Sequence, residues 1–179
     1  MNDNRMWVFG YGSLLWDPGF DHDQFQIADL HGYARSFCMR SIHHRGTERD
    51  PGLVLALDRD ERATCRGVAL RVQHGQEEQT LAYLRERELI SSAYLEKNLT
   101  VHLMGREPVQ AVTYVIDADH VQYCGGLALE EQAQIIAKAA GGRGPNWEYL
   151  FNTVEKLSSL ELHDPDLVWL KQRVHDILR

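Results

Sequence analysis

The spacing of apolar residues changes about two thirds of the way along this chain, and that change narrows the folds open to it. Up to residue 117 most of them come in short runs closed by turn signals. Trp7-Val8-Phe9 stops at Gly10-Tyr11-Gly12-Ser13, and residues 33–40 mix aromatic and polar side chains. Residues 53–57 follow Pro51-Gly52 and are bounded by Asp58-Arg59-Asp60. Residues 67–72, 100–103 and 111–116 bring the expected strands to about six. One helix interrupts them, from Glu77 to about Glu88, carrying Leu81 and Leu84 among strong helix formers. Later the apolar residues recur at three- and four-residue steps. Residues 129–140 place Ile135, Ile136 and Ala139 on one side and stop at Gly141-Gly142; residues 147–160 carry Leu150, Val154 and Leu157. Asp164-Pro165 reads as an N-cap and first-turn proline opening a last helix through Leu167, Leu170, Val174 and Ile177. Strands joined by short turns, one inserted helix and a helical end predict an α+β fold rather than a doubly wound sheet. With no repeat, low-complexity tract or linker, residues 1–179 read as one domain.

Composition removes several functions. The net charge is −7 with no Lys/Arg cluster, so no nucleic-acid partner is expected. Apolar runs fall far short of the roughly 18 residues of a membrane span, and no secretory leader is visible, so no membrane association is expected. The three cysteines, Cys38, Cys65 and Cys124, form no CxxC pair, which fits reduced thiols and a cytoplasmic location. The nine histidines include His43-His44 but no ligand spacing, so no metal is expected. Cys38 with His43 or His44 has the residue types of a nucleophile and base; a half-buried strand cysteine is the simpler reading. Gly10-x-Gly12 lacks the third glycine of a dinucleotide loop, which would fall at Leu15, and Ser13 lacks the flanking glycines of a nucleophile elbow.

Two features remain. The strand ending in Phe9-Gly10-Tyr11-Gly12-Ser13-Leu14-Leu15-Trp16 brackets a tyrosine with glycines, which reads as a tight turn or as a loop that a ligand can approach closely. On the inserted helix Glu88 lies within roughly 40° of both Leu81 and Leu84, on the apolar stripe. A carboxylate there is costly unless paired or used, or unless the helix ends first. Glu86, the competing carboxylate, points away, beside Arg85 and Arg87 on the expected solvent side.

The blocks MWVFGYGSLLW (6–16), GYARSFCMRSIHHRGTERDPGLVLAL (32–57), CRGVALRV (65–72), YLRERE (83–88), AVTYVID (111–117) and GPNWEYLFNTVEKL (144–157), in this order, resemble the ChaC-type γ-glutamylcyclotransferases over nearly the whole chain. The resemblance implies a small mixed β-barrel flanked by helices. It implies an enzyme that cyclises the γ-glutamyl group of glutathione to 5-oxoproline and releases cysteinylglycine, without cofactor or metal. It maps the substrate loop onto Val8, Phe9, Gly10, Tyr11, Gly12, Ser13 and Leu14, and the catalytic glutamate onto Glu88 of the Arg87-Glu88 pair. One departure stands out: Ser92-Ala93-Tyr94 occupies the place where relatives carry Gly-Gly-Tyr. Ser13 is assigned hydrogen bonding only, since no His–Asp partner is evident. Arg45 reads as an exposed loop arginine or a partner for a substrate carboxylate. Tyr149 reads as a hydroxyl lent to substrate binding or as a core aromatic. Two alternatives stay open: other γ-glutamyl amino acids or amines as substrates, and a non-catalytic ligand-binding regulator on the same fold.

Overall fold

Strand β1 (Trp7–Gly10) is buried along its whole length, because its neighbours on both sides are strands. The structure is a computed structural model and describes residues 5–90 and 92–179. β1 leads into a single helical turn, α1 (Ser13–Trp16), and then into two long strands, β2 (His22–Ser41) and β3 (Gly52–Val72). Helix α2 (Glu77–Glu88) precedes β4 (Tyr94–Leu103) and β5 (Val109–Ile116). These five strands close a barrel in the order β1-β3-β2-β4-β5. β1 runs antiparallel to β3, with Gly10 opposite Val68, and parallel to β5, with Val8 opposite Val112. The barrel is therefore mixed, and the fold is α+β as expected. The rest comprises α3 (Leu129–Lys138), a two-residue pair β6 (Ala140–Gly141) and β7 (Gly144–Pro145), α4 (Asn146–Ser159) and α5 (Pro165–Ile177). Among the described residues no helix is long and apolar enough to cross a membrane.

Two compact units share the chain, residues 1–35 with 57–117 and residues 36–56 with 118–179. In the first, Val8, Leu14, Val72, Leu84 and Tyr114 form a buried cluster against which Met6, Phe20, Tyr83, Leu89 and Tyr94 pack. In the second, Ala133 and Ile136 of α3, Leu150 and Leu157 of α4 and Leu167, Leu170 and Val174 of α5 are buried. The Asp164 carboxylate accepts the Leu167 N–H at 3.3 Å, so the expected N-cap opens α5.

Several expectations change. β2 begins at His22, well before residue 33, and β4 at Tyr94, before residue 100. Asp58-Arg59-Asp60 does not end a strand, since residues 53–57 and 67–72 belong to the single strand β3. Arg45 is not an exposed loop residue: it is buried at 5% exposure. Its guanidinium donates to the Pro145 carbonyl at 3.0 Å and lies 5.9 Å from the Tyr149 ring centroid. Burial is the largest influence on that guanidinium and lowers its pKa.

Candidate active site

The glycine-bracketed bend is built from the core outward. Val8 and Phe9 are fully buried within β1, so their side chains set the bend's position and do not line an open surface. A β-carbon on Gly10 would meet the Leu14 Cβ at 3.1 Å and the Val68 Cγ2 at 3.3 Å, so a side chain here would need these neighbours to give by a few tenths of an ångström. Tyr11 is buried, and its hydroxyl donates to the Tyr114 carbonyl on β5 at 3.0 Å. The Tyr11 carbonyl accepts from Arg35 Nε on β2 at 2.7 Å. After Gly12 the chain coils at once into α1, whose Leu15 N–H reaches the Gly12 carbonyl at 2.9 Å. Leu14 closes the turn into the core, while Ser13 stays half-buried.

The candidate carboxylate, Glu88, lies on α2. It is the last residue of the helix, with its side chain 14% exposed, while Leu84 is fully buried and Leu81 half-buried on the same stripe. Glu86 is exposed, as expected. The expectation for Arg87 is overturned. It is buried, and its guanidinium donates to Ser13 Oγ at 2.9 Å, to the Tyr83 hydroxyl at 3.1 Å and to the carbonyls of Asp17 and Pro18. Its Nε stands 3.4 Å from Glu88 Oε1. One side chain therefore touches both the carboxylate and the bend. Arg35, Arg87 and Tyr114 are residues the sequence reading missed. For Arg87 a signal existed: it sits three residues after Leu84 and four after Tyr83, on a face that its charge argues against.

The surroundings of Glu88 are polar but ordered. Tyr114 donates its hydroxyl to Glu96 Oε1 at 2.8 Å, and Arg85 holds Glu96 with two bonds of 3.0 and 2.9 Å. Burial first, then the Glu96 bond and the negative charges of Glu96 and Glu88, push the Tyr114 phenol far up, so it stays neutral. The Arg85 bond, which outweighs the opposing effect of burial, holds the Glu96 carboxyl below its ordinary range. Carboxylate, neutral phenol, hydroxyl and guanidinium together suit moving a proton beside a bound polar molecule.

Tyr149 belongs to the second unit. Its hydroxyl accepts the Leu55 N–H of β3 at 3.1 Å, and its ring meets Phe37 edge-on at 6.0 Å between centroids. One turn earlier on α4, the buried Asn146 amide accepts from Leu53 N–H at 2.8 Å and donates to its carbonyl at 2.7 Å. These two side chains give alternate residues of β3 the partners that a neighbouring strand would supply. Cys38 is buried at 1% exposure, beyond the half-buried placement expected of it.

Comparison with known proteins matches residues 6–177 to a family described as ChaC-like protein. Glutathione-specific gamma-glutamylcyclotransferase 1 of Danio rerio is 36% identical over 168 residues, covering 92% of this chain and 86% of that protein. The glutathione-specific gamma-glutamylcyclotransferase of Escherichia coli K12 is 35% identical over 166 residues, covering 93% of this chain and 71% of its own. A crystal structure of a yeast gamma-glutamyl cyclotransferase specific to glutathione superposes with a TM-score of 0.86 at 24% identity, covering 98% of both chains, a likeness of fold.

Proposed function

This chain belongs to the ChaC-like protein family, and from that premise we propose that it is a γ-glutamylcyclotransferase acting on glutathione. The α-amine of the γ-glutamyl residue attacks its own γ-carbonyl carbon. A C–N bond closes the five-membered ring, the amide bond to cysteine breaks, and 5-oxoproline and cysteinylglycine leave. Nucleophile and electrophile share one molecule, so the protein's task is to fold the substrate into that approach and move one proton. Glu88 takes a proton from the attacking amine and returns it to the departing amide nitrogen, a lyase-type cleavage without water. Backbone N–H groups of the bend from Tyr11 to Leu14 face the developing negative oxygen, where losing one donor typically costs about 3 kcal/mol. Val8, Phe9 and Gly10 hold that bend in place, and Ser13 supplies a hydrogen bond. Tyr149 stays in the reading as a substrate contact. We place the reaction in the cytoplasm, where the thiols of Cys38, Cys65 and Cys124 remain reduced, with residues 1–179 acting as one cyclotransferase domain.

The observation that carries this reading is the mostly buried Glu88 carboxylate, joined through the Arg87 guanidinium to Ser13 of the bend. Glu88→Gln keeps the shape and removes the base. It should lower 5-oxoproline release from glutathione by about 10²- to 10⁴-fold while leaving the melting temperature within a few degrees. Full activity in that variant would refute the assignment. Running γ-glutamyl-alanine beside glutathione decides the substrate, and binding of glutathione without turnover by the unmutated protein would favour a regulator.

A further inference from the structure

Arg85, Glu86 and Arg87 follow one another on α2, yet only Arg87 is buried. Burying a guanidinium is expensive unless its donors are met, and it has five N–H donors and no acceptor. Here one terminal nitrogen serves the Asp17 and Pro18 carbonyls and the Tyr83 hydroxyl, the other serves Ser13 Oγ, and Nε lies beside Glu88. The direction of the Ser13 bond matters. Arg87 can only donate, so the Ser13 oxygen must accept, and the hydroxyl hydrogen points away from the guanidinium. Ser13 is thereby turned into a donor. The same planar group stands against Glu88 Oε1 and restricts where the carboxylate can swing.

We infer that Arg87 is a positioning residue for the cyclisation: it orients the Ser13 hydroxyl as a hydrogen-bond donor to the substrate and holds the Glu88 carboxylate beside the bend. This rests on the cyclotransferase reading above. A lysine would keep the charge, but its single nitrogen cannot span two carbonyls on one side and a hydroxyl and a carboxylate on the other. Misplacing a reacting group by about 1 Å can cost roughly a hundredfold in rate.

The test is a double-mutant cycle in the full chain, read as kcat and KM for glutathione. Arg87→Lys is expected to lower kcat by about tenfold to a hundredfold, with KM changed far less. Ser13→Ala alone should also lower kcat, and Ser13→Ala added to Arg87→Lys should cost little more, because the first change has already lost the aimed hydroxyl. Glu86→Gln, on the exposed face, should behave as the unmutated protein. A folded Arg87→Lys protein with unmutated kcat, or losses that multiply in the double variant, would overturn the inference. If Arg87→Lys does not fold, Ser13→Ala still decides: unchanged kcat there removes the donor role. Activity surviving in Glu88→Gln would sink the cyclotransferase base assignment. An inactive Glu88→Gln beside a fully active Arg87→Lys would sink only the role of Arg87.

Discussion

Glu88 and Arg87 are adjacent and both withdrawn from water, but they differ in how far sequence periodicity can find them. Glu88 is an acid on a leucine stripe, which helical geometry marks as unusual and the family resemblance assigns a role. Arg87 shares a face with Tyr83 and Leu84, and partners distant in sequence, the carbonyls of Asp17 and Pro18 and the Ser13 hydroxyl, help make its burial tolerable. Local periodicity carries no information about such partners, which is why charge argued for the wrong side. Tyr149 poses a related question, since its hydroxyl already serves the Leu55 amide. Tyr149→Phe removes this hydrogen bond and should cost about 0.5–1.5 kcal/mol in denaturant unfolding. A role in substrate contact would add a rise in KM for glutathione; a stability loss with unchanged KM would confine Tyr149 to supporting β3.

At the scale of elements, the connection from α2 to β4 decides where Glu88 ends up. The Leu89 N–H closes the helix on the Arg85 carbonyl at 3.0 Å, and the Ser92 N–H turns back to the Leu89 carbonyl at 3.2 Å. Ser92 has φ of +58°, a conformation that favours glycine. The chain makes this reversal with a serine side chain in place. Ser92→Gly relieves a left-handed cost of roughly 1–2 kcal/mol and adds chain entropy of roughly 0.5–1 kcal/mol to the unfolded state. The net gain, between about 0 and 1.5 kcal/mol, should raise the melting temperature by no more than about 3–6 °C, whereas Ser92→Val should lower it. A lower melting temperature for Ser92→Gly would contradict this account. The four longer helices were legible almost to the residue: α2 and α5 occupy the expected spans, and α3 and α4 differ by one or two residues at their ends, whereas the single turn α1 was read as part of the bend. The long strands were not. β2 is only half-buried along most of residues 22–36, and β3 continues through an exposed acidic and basic stretch. Backbone pairing, not an apolar face, carries those parts, so their side chains hold no alternating signal. The bend was legible as an oddity of two glycines, but its clamps from Arg35 and Tyr114 depend on how the barrel closes.

At the scale of the whole molecule, each compact unit carries an acid-sensitive ion pair of its own. In the first, Asp23 accepts from Arg71 and Arg5, each at 2.7 Å at its shortest. Hydrogen bonding from Arg71, more than from Arg5, brings its carboxyl from 3.8 down to about 2. In the second, Glu130 of α3 accepts from Arg173 of α5 at 2.8 Å, and that bond, then one from Gln134, brings its carboxyl from 4.5 down to about 2. A carboxyl whose folded pKa lies below its unfolded one contributes stability above the unfolded value and loses it as pH falls towards the folded one. Both pairs should therefore be fully effective above about pH 5 and fade between about pH 4.5 and 2. Thermal unfolding should show a melting temperature nearly flat from pH 7 to 5 and falling below 4.5. Because these groups face solvent, 1 M salt should shrink the acid-dependent drop by screening. Arg71→Gln and Arg173→Gln should each flatten part of the same limb, and the two effects should add because the two ion pairs share no residue. An unchanged melting temperature down to pH 2.5 would show that neither pair contributes measurably to stability, and a limb unaffected by both substitutions would mean that the acid response originates in carboxylates other than Asp23 and Glu130.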